Sequence, residues 1–295
     1  MLAHLAPQPL RPSRVVVVGA GGFVGNAIAS RLEKDGVPVL RLGRRDIDLL
    51  APDAGDRLAA RLGGGDVLVA AAARAPCKTV EMLRDNVVMA CALVKAAARS
   101  SAAQVVNISS DAIYADSAEP LTEDSITAPD SLHGVMHLAR ETMFRSEVAA
   151  PLVMLRPTLI YGAGDPHNGY GPNRFRRLAN KGEPIVLFGE GEERRDHVLI
   201  DDVAEIAALV IYHRSSGVLN VATAVTTSFR EIAQEVVKAS GRSVAINGAP
   251  RSGPMPHNGR RPFDTAACRA AFPEFSFVPL KAGLAKAQRE ETGSR

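Results

Sequence analysis

Val15-Val-Val-Val-Gly-Ala-Gly-Gly-Phe-Val-Gly25 is the stretch whose reading decides the architecture. Four consecutive valines suit a strand covered on both faces, because β-branched side chains pack well on a pleat and a parallel sheet has no wet face to impose alternation. The run ends at Gly19, and glycines recur at 22 and 25 before Asn26 to Leu32 adopts a helical spacing of apolar residues. Asp35-Gly36 closes that helix, and Val37 to Leu42 forms a second apolar run. Strand, glycine-rich turn, helix and strand make a βαβ unit. Missing side chains let the turn be tight and let backbone approach a pyrophosphate, whose charge is favoured by the amides and dipole of the helix start. Gly19, Gly22, Phe23, Val24 and Gly25 are therefore the predicted dinucleotide cradle.

Outward from this unit, strands alternate with helices: Asp66 to Ala70, a helix from about Val80 to Arg99, Gln104 to Ile108, a helix near His133 to Glu147, and Leu152 to Leu155. This order predicts an α/β fold, a Rossmann-type doubly wound parallel sheet with right-handed crossovers. After Tyr161 the chain turns rich in Gly, Pro, Asn and Asp, and a smaller C-terminal substrate-binding lobe is expected. The expected division is a tail at 1–14, a dinucleotide-binding domain at 15–163 with a return of the chain near 195–222, and a lobe at 164–295.

The 295 residues are 46% hydrophobic and 23% charged, with a net charge of +3. That balance excludes disorder and argues against nucleic acid, and no run is long enough to span a membrane. Cys77, Cys91 and Cys268 are odd in number and lack CxxC spacing, which argues against disulfides and zinc, and a reducing cytoplasm is the expected home. At the end of the second strand, Arg44 and Arg45 suit a ribose 2'-phosphate, so NADP is expected over NAD, while Asp46 and Asp48 leave NAD open.

The GxxGxxG spacing resembles the short-chain dehydrogenase/reductase superfamily, and later motifs resemble its extended sugar-nucleotide branch over nearly the whole chain. Ile108-Ser-Ser-Asp-Ala-Ile-Tyr114 is similar to the strand and turn carrying the catalytic hydroxyl, which implies Ser110 in that role with Asp111 beside it. Ala112 stands where the dehydratases of that branch carry Glu, which argues against elimination of water. Leu155 to Gly162 resembles the segment passing the nicotinamide, and the resemblance implies Pro157, with Ala71, at the cofactor. The Phe188 to Asp202 and Arg261 to Asp264 stretches resemble motifs whose arginines meet a diphosphate, implying Arg195 and Arg261 for substrate.

The departure is Ser131 to Glu141, where the family has Tyr-x-x-x-Lys and this sequence has His133 and His137. Four residues apart on a helix, both lie on one face. His133 is expected to handle the proton, since imidazole titrates near neutrality, and His137 to bond the ribose hydroxyls without the fixed charge of Lys. No third ligand accompanies the pair, so no metal is expected. In His167 to Arg177, Asn173 and Arg174 are candidates for sugar or phosphate, whereas Arg176 and Arg177 read equally well as solvated helix-face charge.

These features imply an NADP-dependent reductase or epimerase acting on a nucleotide sugar, with Asp46-Ile-Asp-Leu49 resembling the keto-sugar reductases. A homodimer through the helices at 80–99 and 133–147 is implied by the family. The competing expectation is a catalytically silent nucleotide-binding relative with a sensing or scaffold role.

Overall fold

The computed structural model describes residues 2–293. Strand β1 (Ala3–His4) precedes β2 (Arg14–Val18), α1 (Phe23–Lys34), β3 (Val39–Leu42), α2 (Ala54–Ala59), β4 (Asp66–Ala70), α3 (Val80–Arg99), β5 (Gln104–Ile108), α4 (Leu132–Glu147) and β6 (Leu152–Pro157). Then come β7 (Leu159–Tyr161), α5 (Pro172–Lys181), β8 (Ile185–Phe188), β9 (Arg194–Leu199), α6 (Ile200–Tyr212), β10 (Ser215–Val221), β11 (Thr226–Ser228), α7 (Phe229–Ser240), β12 (Ile246–Ala249), β13 (Arg260–Arg261), α8 (Ala266–Ala271) and α9 (Leu280–Gly293).

The main sheet runs β1-β10-β6-β5-β4-β2-β3, parallel except for the antiparallel β1. Residues Val15 to Val18 are buried, as are all of β4 and β5, which is what continuous apolar runs in a two-faced sheet require. Ile28, Leu32, Val203 and Ile206 of α1 and α6 fill one face. Leu58, Leu93, Ala96 and Phe144 of α2, α3 and α4 fill the other. The expected doubly wound sheet is present.

Within the stretch expected to be a tail, Ala3–His4 forms an edge strand. Ala3 and His4 pair with Ser216 and Ser215, and His4 bonds both Ser215 Oγ at 2.8 Å and the Ala271 carbonyl at 2.9 Å. Two residues are too short a run for periodicity to reveal, and the pairing depends on an edge formed more than 200 residues later. No described helix is long and apolar enough to cross a membrane.

A second core packs Phe175, Ile185, Leu187, Leu199, Phe229, Ile232 and Leu284 together. Here β9 lies between β11 and β13 and also pairs with β7, while β8 pairs with β12. The chain then returns to the large sheet through α6 and β10, which lie within residues 200–221.

Candidate active site

The strand order reverses between β2 and β4, leaving a crevice at their C-terminal ends, the usual place for a ligand in such sheets. A cavity of about 410 Å³ opens there, lined among others by Gly19, Gly21, Gly22, Arg44, Asp48 and Ala71. Gly19 has φ +92°, and a Cβ on it would lie 2.5 Å from the Ala72 nitrogen. A Cβ on Gly25 would lie 2.3 Å from the Gly19 carbonyl oxygen, so that glycine lets α1 begin directly against the turn. Gly22 is the N-cap of α1, whose first turn holds no acidic side chain to oppose an anion.

Gly21, outside the 19, 22, 25 pattern, faces open space on the cavity wall. A side chain there therefore competes with a ligand and with nothing else. Gly21→Val is expected to leave the melting temperature within about 1 °C while weakening dinucleotide binding at least about tenfold, a loss of 1.4 kcal/mol. Calorimetric titration with NAD and NADP, beside a thermal melt, checks this; undiminished affinity would place the dinucleotide elsewhere.

The remaining cofactor candidates divide. Arg44 lines the cavity, 82% exposed and 3.7 Å from Asp48, whereas Arg45 is exposed and lies outside the lining. Arg41, from the same stretch, is turned onto α1 by Glu33, Asn26 and Ser30. Ala71 is on the wall. Val24 packs into the sheet core, and the Phe23 ring lies 3.3 Å from where a Cβ on Gly162 would sit, so neither side chain lines the cavity. Pro157 is buried in register with Val221 at the end of β6 and likewise lies off the lining.

Helix α4 presents the histidines. Ser131 caps it by accepting from the Gly134 amide at 3.2 Å. A Cβ on Gly134 would lie 2.1 Å from the Ala112 carbonyl oxygen, so only glycine lets α4 press onto the 3₁₀ turn Asp111–Ile113 that follows Ser110. Ser110 Oγ accepts from the Ala112 amide at 3.1 Å. The His133 and His137 rings meet edge to face, 4.7 Å between centroids. Burial pushes the His133 pKa down, against the attraction of Asp111, and pushes that of His137 far down, aided by His133 and Arg140. His137 is 6% exposed and its Nδ1 has no hydrogen-bond partner among the described residues. Burial with no anionic partner among the described residues disfavours charge on that imidazole, so it is not the fixed cation that a lysine would be.

A buried cation lies one turn along. Arg140 donates to Asn107 Oδ1 at 2.5 Å and to the carbonyls of Ala70 and Ala72 at 2.6 and 2.5 Å, all neutral acceptors, and burial lowers its pKa to about 10. It anchors α4 to the end of β4, beside the first cavity. Helical spacing alone gave no sign of this residue.

His133 also lines a second cavity of about 240 Å³, together with Asp165, His167, Tyr170, Asn173 and His197. Asn173 accepts from the Gly162 amide at 3.1 Å, tying α5 to the loop after β7. Arg174 is exposed and lies on none of the three cavity walls, which the candidate role did not anticipate. Arg176 corrects the opposite way: it is 1% exposed, pairing with Glu291 at 2.6 Å and donating to the Gly162 carbonyl at 3.0 Å. A helix arginine looks solvated until a distant carboxylate from α9 covers it.

Arg195 and Arg261 are brought side by side by the β9–β13 register and line a third cavity of about 260 Å³. Both already have anions. Arg261 donates to Asp116 at 2.6 Å and to the Asp111 and Tyr114 carbonyls, and Arg195 lies 3.6 Å from Asp111 and 3.4 Å from Glu193. Asp111, a candidate acid beside Ser110, is thus chiefly the buried counter-ion of this arginine pair, with its oxygen 3.4 Å from Ser110 Oγ. Among the described residues, no group of three or more His, Cys, Asp or Glu could hold a metal ion.

Residues 15–222 match the family model described as the NAD dependent epimerase/dehydratase family. The chain is 28% identical over 260 residues to UDP-glucose 4-epimerase of Mycolicibacterium smegmatis, covering 77% of this chain and 83% of that protein. It is 29% identical over 269 residues to dTDP-6-deoxy-L-talose 4-dehydrogenase (NAD(P)(+)) of Kitasatospora kifunensis, covering 81% and 83%. Among solved structures, UDP-glucose 4-epimerase of Thermus thermophilus in complex with NAD superposes with a TM-score of 0.83 at 23% identity, over 96% of this chain and 100% of that one.

Proposed function

The chain belongs to the NAD-dependent epimerase/dehydratase family, and from that premise we propose that it is an NAD(P)-dependent reductase or epimerase of a nucleotide-activated sugar. The observation that carries the reading is the contact of Gly134 with Ala112, which sets His133 on α4 against the turn after Ser110. A bound nicotinamide would supply or accept the hydride. The backbone at Gly19 to Gly25 and the wall at Ala71 would hold the dinucleotide, with Arg44 at the ribose and NADP preferred. Ser110 and His133 would bond the reacting sugar oxygen. Arg195, Arg261 and Asn173 would hold the rest of the substrate, the arginines exchanging Asp111 and Asp116 for diphosphate oxygens.

A neutral His137 supports a second reading, a silent nucleotide-binding relative. Purified protein is therefore incubated with NADPH or NADH and a panel of 4-keto nucleotide sugars. Substrate-dependent oxidation that is faster with NADPH, with that preference lost in Arg44→Ala, is expected. Tight binding of the dinucleotide without oxidation across the panel would sink the catalytic reading.

We also place a cytoplasmic homodimer on α3 and α4, whose Val80, Val88 and Val135 are 74%, 41% and 39% exposed. Sedimentation at the monomer mass would refute it.

A further inference from the structure

Three imidazoles line the 240 Å³ cavity, and their hydrogen bonds fix where each proton sits. His133 Nδ1 accepts from the Cys77 amide at 3.4 Å, so the neutral ring carries its proton on Nε2. A ring held neutral in that tautomer can donate a hydrogen bond from Nε2. It cannot take a hydroxyl proton at that nitrogen, and releasing the proton it has would leave an imidazolate.

His197 has the opposite form. Its Nδ1 donates to the Arg195 carbonyl at 3.2 Å, burial pushes its pKa down to about 3, and its Nε2 has no partner among the described residues. It is an acceptor without a proton to spare. His167 differs from both: Asp165 Oδ1 accepts from its Nδ1 at 2.8 Å and from its backbone amide at 3.3 Å. The Asp165 side chain is 5% exposed and the Asp165 backbone carbonyl accepts from Arg177, which holds the loop under the imidazole, while the His167 side chain is 41% exposed. A buried carboxylate behind Nδ1–H fixes the ring's orientation and tautomer and leaves Nε2 free to take a proton. Contact with solvent lets that proton exchange.

We propose that His167, oriented by Asp165, carries the proton of the reaction, and that His133 acts as a fixed hydrogen-bond donor to the reacting oxygen. This rests on the proposed function above and puts the reacting oxygen where His133 faces the 240 Å³ cavity. In the reducing direction the carbonyl carbon receives hydride from a dihydronicotinamide, and the C=O π pair moves onto oxygen. That oxygen takes the Nε2 proton of the His167 imidazolium, so an N–H bond breaks and an O–H bond forms. Neutral His167 is reprotonated from water. In the oxidising direction the same nitrogen receives the hydroxyl proton. The charged and titratable groups that line this cavity beside His167 are Asp165, His133, His197 and Tyr170, and Arg177 holds the Asp165 backbone.

Histidine-selective ¹⁵N spectra of the full chain without cofactor test the tautomers directly. Neutral His133 is expected to hold its proton on Nε2 and neutral His167 on Nδ1. In turnover, His167→Gln is expected to lower kcat by roughly 10² to 10⁴ with dinucleotide affinity unchanged, and to remove the proton-transfer limb of the pH profile. His133→Gln, which keeps an N–H near the Nε2 position, is expected to lose less kcat than His133→Phe. Asp165→Asn, acting through His167, lowers kcat more than it raises KM. A proton on His133 Nδ1, or a His167→Gln variant as active as the parent, overturns the proposal. If no nucleotide sugar is turned over, the proposed function fails on that ground, while the spectra still decide the tautomers.

Discussion

Turnover of the His133→Phe variant falls by roughly 10² to 10⁴, the contribution usual for a group acting on the reacting proton or oxygen, while NAD(P) affinity stays unchanged. Phenylalanine keeps the ring's bulk at the cavity wall and removes both nitrogens. Among the described residues the one hydrogen bond lost is the long one from the Cys77 amide, so the fold should tolerate the change. Measuring kcat and the dinucleotide Kd together separates the two effects. Equal turnover in parent and variant would remove His133 from the chemistry.

The second large effect is on stability. Glu141, 0% exposed, receives Arg156 Nε at 2.9 Å and Nη2 at 2.8 Å, with Arg145 also on Oε2 at 2.6 Å. Arg156 also donates to Tyr114 Oη at 2.7 Å and the Glu123 carbonyl at 3.1 Å. Tyr114, its pKa pushed up by burial to about 12, donates to Asn220 at 2.7 Å. One network thus ties α4, β6, β10 and the turn after Ser110 together behind the candidate site. Glu141→Ala leaves Arg156 buried and uncompensated, which costs about 3–5 kcal/mol, a drop in melting temperature on the order of 10 °C.

Acid should expose the same group. Burial alone would raise the Glu141 pKa, but the Arg156 hydrogen bonds and charge prevail and hold it below the ordinary glutamate value. A carboxylate whose folded pKa is depressed contributes stability above its unfolded pKa, and loses it as pH falls through the folded one. As pH falls from the ordinary glutamate pKa through the depressed folded one, the parent should lose stability more steeply than Glu141→Ala. Identical acid limbs in denaturant titrations would show that the pair contributes little.

The main sheet and the glycine turn were legible because local rules specify them: valine runs, helical spacing and the three glycines each carry their own steric reason. The histidine pair was legible too, since four residues on a helix fix a common face. The edge strand at Ala3–His4 was not, because its pairing partner exists only once β10 has joined the sheet. Gly21 escaped because its importance is open space, and spacing records only where glycines are required.

Sequence by itself determined the doubly wound sheet, the glycine turn and the identity of the residues at 133 and 137, since these follow from periodicity and short-range sterics. Only tertiary structure decided their states. Protonation and tautomer depend on desolvation and on partners far apart in the chain: Cys77 against His133, Arg195 against His197, and Asp111 between Arg195 and Arg261. The same holds for Arg176, which reads as a surface charge until Glu291 of α9 closes over it. Burial is a property of the assembled chain, and in this protein it decides which imidazoles remain neutral.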